Sequence, residues 1–295
     1  MPSALFVVVR RNEKVAPSDK SGRAPTIESP SNQTVQMLRE LHETGGRREH
    51  GAFLVEGTRL VAEAAAASWP LLAVLYDPEK AEEDEGLSSL VAQLPQALPA
   101  SARAIKHASD TVTPQGIVAA ARIPAPPVEV EAREQLVLVL DGVNDPGNAG
   151  TLLRSAAGAG VRTVLASRGS ADLFGPKVVR GGMGAHFHLR LGGNLTWEAI
   201  LAKLGQGRAL VVAERGAAAP YYEFDWLRLA VLIVGSEARG PSPEARQLAT
   251  ATVSIPLEPE VESLNAAVAG SVILFEAKRQ INNHGGRRAG QAARA

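Results

Sequence analysis

Apolar residues in the first half of the chain recur at helical spacing in some segments and at strand spacing in others. Val35, Leu38 and Leu41 lie three positions apart and predict a helix that ends at the glycine pair 45–46. The further elements predicted here are strands at 52–56 and 71–76, a helix at 59–67, and shorter helix or strand signals at 91–94, 104–106 and 116–121. The pattern indicates a small α/β domain over residues 34–123.

The alternation of strands and helices is more regular after residue 135. The predicted strands are 136–140, 163–166, 186–191, 209–213 and 230–235, and the predicted helices are 149–159, 176–182, 197–204, 243–249 and 264–281. This order favours a mostly parallel sheet with helices on both faces. We therefore predict a second α/β domain over residues 135–281, with ligands at the carboxyl ends of its strands.

Three segments lack such a pattern. Residues 1–33 mix Pro, Ser, Lys and Arg without a sustained period, which predicts a flexible extension. Residues 124–134 begin with a proline-rich run followed by charged positions, a composition typical of an interdomain linker. The tail 282–295 is predicted to be disordered.

The charge of the chain is balanced. Lys and Arg together number 31, as do Asp and Glu, so the net charge is zero. Because phosphates dominate the affinity of nucleic-acid complexes, the total charge gives no support to such a partner, and any RNA contact must come from local basic residues. The candidates are Arg47, Arg48, Lys177 and Arg180.

Several kinds of chemistry are disfavoured by what the sequence lacks. The chain has no cysteine, which excludes disulfides and thiolate sites and fits a reducing cytoplasm. Its six histidines are scattered without an acidic cluster, and no serine has a suitably spaced His and Asp, so neither a metal site nor a hydrolytic triad is predicted. We read no signal peptide, and the apolar run 266–275 is far short of the roughly 20 residues that a membrane span needs. We expect a cytoplasmic protein with no metal and no membrane partner.

Three separated segments at predicted strand ends carry the candidate chemistry. The first contains the turn 145–148, which ends in Asn148, and Arg154 follows six residues later. The second, 235–240, holds Glu237 between two glycines, and the third is the Ser-Leu-Asn sequence 263–265 at the start of the last predicted helix. Taken singly, each also fits a plain structural interpretation: a turn, a strand-to-helix loop and a capped helix start.

Together, in this order and at these intervals, the three segments resemble the signature motifs of the SpoU/TrmH family of RNA 2′-O-ribose methyltransferases, a branch of the SPOUT superfamily. The segments 53–57 and 113–117 resemble the L30e-like substrate-binding domain that precedes the catalytic domain in many members. The resemblance implies a small L30e-like RNA-binding domain followed by an α/β-knot domain, with a deep trefoil knot over about 209–280. It also implies a homodimer formed through the knotted domain.

The resemblance further assigns the site residues. Methyl transfer from S-adenosylmethionine would depend on Asn148, Arg154, Glu237, Ser263 and Asn265. The cofactor would be held by Ala213, Gly235, Glu237, Gly240, Ile255, Leu257, Ser263, Leu264 and Asn265. Pro259 departs from the family pattern, in which many members have Gly, so the cofactor loop loses an N–H here.

The substrate implied by the L30e-like domain is 23S rRNA, with guanosine favoured as the nucleotide. Two alternatives stay open: a tRNA ribose 2′-O-methyltransferase and a noncatalytic rRNA-binding assembly factor. The intact motif residues argue against the second of these. A nucleotide-dependent oxidoreductase would need a glycine-rich phosphate loop, which the predicted strands lack.

Overall fold

The computed structural model describes residues 25–125 and 128–292, with side chains described as far as residue 284. Most of the predicted extension 1–33 therefore lies outside the described residues. Ile27 does not fit the prediction of a flexible segment, because its backbone N–H donates to Pro99 O and its carbonyl accepts from Ser101 N.

The first domain is a four-stranded mixed sheet with helices around it. Its strands are β1 (Ala52–Glu56), β2 (Leu71–Tyr76), β3 (Ala97–Pro99) and β4 (Ile117–Arg122), in the order β1-β4-β2-β3. Its helices are α1 (Gln33–Glu40), α2 (Thr44–His50), α3 (Thr58–Ala66), α4 (Pro78–Glu83), α5 (Glu85–Ala92) and α6 (Ala102–Ala108). Strand β4 is antiparallel to β1 and β2, whereas β2 and β3 are parallel.

Capping residues explain where several of these helices begin. The side chains of Asn32, Asp77, Asp84 and Ser101 each accept a hydrogen bond from a backbone N–H in the first turn of the helix that follows. Such bonds satisfy N–H groups that have no partner within the helix. The short helices α4 and α5 are separated at Asp84, which ends one helix and caps the next.

The second domain is a six-stranded, entirely parallel sheet, which confirms the predicted parallel arrangement, whereas the sixth strand, Ala251–Val253, was not predicted. Its strands are β5 (Leu136–Asp141), β6 (Thr163–Ser167), β7 (Arg190–Leu195), β8 (Ala209–Ala213), β9 (Ala230–Gly235) and β10 (Ala251–Val253), in the order β10-β8-β9-β5-β6-β7. Its helices are α7 (Pro146–Ala159), α8 (Pro176–Gly182), α9 (Trp197–Leu204), α10 (Pro243–Leu248) and α11 (Ala266–Ala292). All residues of the central strands β5 and β9 are buried, which is why their sequences are continuous apolar runs.

Four predicted boundaries in this domain were wrong, the first being the start of α7, which lies at Pro146 and not at Ala149 because Asp145 caps the helix. The predicted strand 186–191 begins instead with a turn of 3₁₀ helix, Ala185–Phe187, and β7 runs from Arg190 to Leu195. The last helix begins at Ala266, two residues later than predicted, because Asn265 and not Ser263 is its cap: Asn265 Oδ1 accepts from Ala267 N and Val268 N. That helix also continues to Ala292, where a disordered tail was predicted from residue 282, and the backbone ladder simply extends through a segment without proline.

The predicted linker is partly packed against the second domain. Val128 and Val130 contact the core on one face of the parallel sheet, and Glu134 is buried. The Glu134 carboxylate accepts from Thr163 Oγ1 at 2.8 Å and pairs with Arg190 at 2.8 Å. The strand order does not determine whether the chain is threaded, so the trefoil knot over about 209–280 stays a prediction.

The two domains meet in an aromatic cluster with a charged border. Phe53 of β1 packs against Phe174, His186 and Phe187 of the second domain, with ring centroids 5.1, 5.9 and 6.3 Å away. His186 Nε2 lies 2.7 Å from Leu173 O. Burial lowers the pKa of the His186 imidazole to about 4, so the ring is neutral at pH 7. Because the His186 ring packs in this aromatic cluster and its Nε2 contacts Leu173 O, the residue lies in the domain interface and not in the predicted strand.

Candidate active site

The carboxyl ends of β8, β9 and β10 surround a cavity of about 440 Å³. Its lining includes every residue that the sequence assigned to the cofactor: Ala213, Gly235, Glu237, Gly240, Ile255, Leu257, Ser263, Leu264 and Asn265. The remaining wall comes from the first turns of α11 and from the side chains of Arg215 and Arg246. The parallel sheet thus places its cavity where ligands of such sheets bind.

The loop after β9 folds back tightly on itself. Ser236 and Gly240 exchange two backbone hydrogen bonds, at 3.0 and 2.9 Å, and Gly240 has a φ of 66°. A Cβ on Gly235 would lie 2.2 Å from Pro241 N and 2.3 Å from Gly240 C. Because those atoms belong to the backbone, no side chain fits at residue 235 without displacing the loop. The two glycines therefore give this wall of the cavity its shape.

Asp141 anchors the same loop, and sequence reasoning missed it. It is the last residue of β5 and is buried, with Oδ2 accepting from Ser242 N at 2.6 Å. Its Oδ1 accepts from Ser167 Oγ and from the Trp197 indole N–H, both at 3.2 Å. The sequence did contain a signal for this role, since Asp141 ends a buried apolar strand. A buried carboxylate needs hydrogen-bond donors as partners.

Hydrogen bonds between side chains join the three signature segments at the mouth of the cavity. Asn148 Nδ2 donates to Glu237 Oε1 at 2.6 Å, and Asn265 Nδ2 donates to Asn148 Oδ1 at 2.9 Å. Asn265 Oδ1 caps α11, and Asn148 N–H is held by the Asp145 side chain at 2.7 Å. The amide of Asn148 is thereby fixed from both sides, with a carboxylate on one side and a second amide on the other.

Two of the predicted catalytic residues lie apart from this network. Ser263 lines the cavity and is exposed, but it does not cap α11. Arg154 is exposed on α7, six residues after Asn148, and does not line the cavity. Among the described side chains it makes neither a hydrogen bond nor an ion pair. The catalytic role of Arg154 stays a prediction.

Ion pairs occupy the outer rim of the cavity. Arg246 Nε lies 2.7 Å from Glu214 Oε1, and Arg215 Nη1 lies 3.5 Å from Glu262 Oε1. Such partly exposed pairs contribute little to stability, about 0–1 kcal/mol each. Their effect is to fix long side chains around an opening whose inner wall is largely backbone and apolar.

The four candidate RNA-binding residues have different surroundings. Arg47 is 5% exposed, donates to Leu41 O and His42 O, and pairs with Asp172 at 2.6 Å, so its assignment to RNA was wrong: it joins the two domains. Arg180 pairs with Asp110 across the same junction at 2.8 Å. Arg48 and Lys177 are exposed, and their role stays a prediction.

Residues 25–125 and 128–292 contain neither a metal centre nor a membrane span. No group of three or more metal-binding side chains comes together in that part of the chain. No helix within the same residues is long and apolar enough to cross a bilayer.

The comparison with family models agrees with this geometry. Residues 135–275 match the SpoU rRNA Methylase family, and residues 32–119 match the MRM3-like substrate binding domain. The chain belongs to the SpoU rRNA methylase family. This SpoU-family chain is therefore a methyltransferase, and its two matched regions correspond to the two domains.

Relatives and solved structures extend the match over most of the chain. An uncharacterized tRNA/rRNA methyltransferase of Synechocystis is 34% identical, with 86% of this chain and 94% of that protein covered. The 23S rRNA (guanosine(2553)-2′-O)-methyltransferase RlmP of Bacillus subtilis is 30% identical, with 84% and 97% covered. The crystal structure of the SpoU methyltransferase AviRb from Streptomyces viridochromogenes in complex with AdoMet superposes with a TM-score of 0.77 at 28% identity, covering 84% of this chain and 98% of AviRb.

Proposed function

We propose that this SpoU-family protein transfers the methyl group of S-adenosylmethionine to a ribose 2′-hydroxyl of 23S rRNA, at a guanosine. The observation that carries the proposal is the Asn148–Glu237–Asn265 network, which brings residues from all three signature segments to one cavity mouth. The RlmP relative, named for a guanosine of 23S rRNA, supports the choice of RNA and of nucleotide.

The cavity fits the cofactor in size and in lining. Its volume of about 440 Å³ lies within the roughly 300–1,000 Å³ common for small-molecule sites. Backbone groups around Gly235 and Gly240 can approach a ligand closely, and Ile255, Leu257 and Leu264 supply an apolar wall. When bound, S-adenosylmethionine supplies a methyl group that its sulfonium has already activated for transfer.

The protein's own contribution is then mainly orientation. Asn148, held by Glu237 and Asn265, would fix the ribose hydroxyl near the cavity mouth, and orientation of this kind can supply about 7–11 kcal/mol of the barrier. The hydroxyl must also lose a proton. A guanidinium, with a pKa above about 12, is a poor base, so we assign Arg154 to stabilising the developing alkoxide or a phosphate.

A homodimer would explain the position of Arg154. On α11, Val268 and Phe275 are 48% and 49% exposed, and their spacing of seven residues places them on one face of the helix. The exposed side of α7 lies beside them, since a Cβ on Gly158 would lie 3.4 Å from the Phe275 ring. We infer that the surface formed by Val268, Phe275 and the exposed side of α7 packs against the same surface of a second subunit. Arg154 on α7 then lies at the boundary between the two subunits. The knot predicted for the same domain would lie under that contact.

The proposed site of action is the cytoplasm. The relative RlmP, a 23S rRNA methyltransferase of the bacterium Bacillus subtilis, supports this location.

The test is transfer from labelled S-adenosylmethionine to separately purified, unmodified 23S rRNA, 16S rRNA and tRNA. We expect label in 23S rRNA, in a nucleotide whose linkage resists alkaline cleavage because the 2′-oxygen is methylated. Label in tRNA alone would replace the proposed substrate with the alternative one. Cofactor binding without transfer to any RNA would favour the noncatalytic assembly factor.

A further inference from the structure

A second cavity lies at the junction of the two domains. It has a volume of about 250 Å³ and is formed by β1, α3 and the loop before β4 on one side, and by the end of α8 on the other. The residues that matter here are Glu56, Ser109, Gln115 and Arg180. The segments 53–57 and 113–117, which the catalytic site leaves unused, meet at this cavity through a hydrogen bond from Gly57 N to Ile117 O at 3.1 Å.

Two buried polar atoms of this cavity's lining lack a hydrogen-bond partner among the described residues. They are Glu56 Oε2 and Ser109 Oγ. Ser109 is only 5% exposed, and the other oxygen of Glu56 accepts from Asp110 N–H. A buried polar group without a hydrogen-bond partner is unfavourable, and a charged group more so. The pair therefore indicates a ligand that supplies a donor to the carboxylate and an acceptor to the hydroxyl.

We propose that this cavity binds an unpaired guanine base of the RNA, next to the nucleotide that is methylated; this inference rests on the proposed function. The Watson–Crick edge of guanine carries two adjacent N–H donors beside a carbonyl acceptor. Glu56 accepts from the donors, and Ser109 donates to the carbonyl. Carboxylates with free lone pairs suit this pairing, and sequence-specific RNA recognition usually targets splayed-out bases in single strands.

The surroundings of the cavity suit a nucleic acid. Arg59 and Arg180 line it, and Lys177 is exposed one turn before Arg180 on α8. The Gln115 side chain lies against Gly57, whose Cβ, if present, would be 2.5 Å from Gln115 Oε1. Gln115 is itself exposed and lines the same cavity as Glu56. Val112, 88% exposed at the tip of the same loop, offers an apolar surface to a base at the entrance.

The location links the cavity to the site of transfer. Arg180 is followed by Gly181, whose Cβ, if present, would lie 3.9 Å from Gly147 O, next to Asn148. The cavity and Asn148 therefore lie on opposite sides of the contact between α8 and α7. A base held at Glu56 would position the neighbouring ribose relative to Asn148.

The test measures binding without cofactor, so that it does not depend on transfer. Fluorescence anisotropy would compare short single-stranded RNAs that differ only in a central guanine, inosine, adenine, cytosine or uracil. We expect the guanine strand to bind about tenfold more tightly, and Glu56→Gln to remove that preference. This variant keeps an oxygen for Asp110 N–H and replaces the other with an amide. Glu79→Gln, an exposed glutamate of the same domain, is the control for the lost charge and should keep the preference.

Ser109→Ala is the second variant and should lose part of the guanine preference. It provides an independent test if Glu56→Gln lowers the melting temperature so far that its binding cannot be interpreted. Equal binding of all central bases by the unaltered protein would overturn the proposal, as would a guanine preference that survives Glu56→Gln. A preference for another base, lost in that variant, would also refute the assignment of guanine. In the transfer assay, Glu56→Gln should raise KM for RNA with little change in kcat. Failure of the unaltered protein to methylate any RNA would refute the proposed function and leave the binding result intact.

Discussion

Asn148 and Asn265 are 117 positions apart in the sequence, and the side chain of the second donates to that of the first at 2.9 Å. Asn265 also caps α11, so the position of the Asn148 amide depends directly on where the last helix begins. A change at Asn148, which does not line the cavity, should therefore affect transfer more than the structure of the cavity.

Replacement of Asn148 by alanine should lower the rate of methyl transfer by about 100-fold or more, because misplacement by about 1 Å can have that effect. Cofactor affinity should change little, since Asn148 does not line the cavity. Single-turnover transfer and calorimetric binding measure the two quantities. Asn144→Ala, in the turn just before, is the control and should retain the rate; a similar loss there would mean that the turn itself had been disturbed.

Replacement of Arg154 by alanine should abolish transfer while leaving cofactor affinity nearly intact. Transfer should be lost because Arg154 is assigned to stabilising the alkoxide or a phosphate. Cofactor affinity should be kept because Arg154 does not line the cavity. Arg168→Ala, also exposed, is the matched control. An Arg154→Ala enzyme with most of its rate would show that the role is wrong.

Gly235→Ala should weaken cofactor binding and lower the melting temperature. The added Cβ would overlap backbone atoms of Gly240 and Pro241, which forces the loop of the cavity wall to move. Gly45→Ala is a suitable comparison, since a Cβ added there would have nothing within 4 Å of it. Calorimetry and thermal melting of both variants would check this, and normal cofactor affinity in Gly235→Ala would contradict the tight loop described above.

Phe275→Asp should convert the proposed dimer to a monomer, because a carboxylate would be buried in the apolar surface of α11 that the dimer covers. Light scattering gives the mass in solution. Leu98→Asp, at an exposed apolar position of the first domain, should leave the mass unchanged. If Phe275→Asp has the same mass as the unaltered chain, the dimer surface lies elsewhere.

Acid should destabilise the fold through His186. Burial lowers the pKa of its imidazole from 6.5 to about 4 in the folded chain, so the unfolded chain binds the proton more readily between these values. The contribution to stability is complete above pH 6.5 and is lost as pH falls toward 4, by up to about 1.4 kcal/mol per pH unit. Urea unfolding gives the free energy of unfolding at pH 7 and at pH 5. The difference between these two values should be smaller for His186→Gln than for the unaltered chain. The exposed His284→Gln serves as the comparison and should behave like the unaltered chain.

The sequence predicted most of the strands because buried parallel strands are continuous apolar runs, as β5 and β9 show. The residues that it assigned to the cofactor all line one cavity, since motif residues follow those strands. The sequence could not predict which residues that lie far apart along the chain would form hydrogen bonds or ion pairs. Asp141 and Arg47 look like ordinary charged residues in sequence, and only the folded chain reveals that one anchors the cavity loop and the other joins the domains. The start of the last helix was misplaced for the same reason, because Ser263 and Asn265 are both good caps in sequence.

The contact between α7 and α8 keeps the distance between these two helices constant. Gly150 and Gly181 meet there with their backbones, and a Cβ on Gly150 would lie 2.8 Å from Gly181 C and Cα. Such a contact has no rotamers to change, so the distance between the two helices does not vary with side-chain motion. It acts as a fixed spacer between α8, which lines the junction cavity, and α7, which carries the Asn148 amide. Residues on the outer surfaces of these two helices can therefore be replaced without altering the distance between the helices.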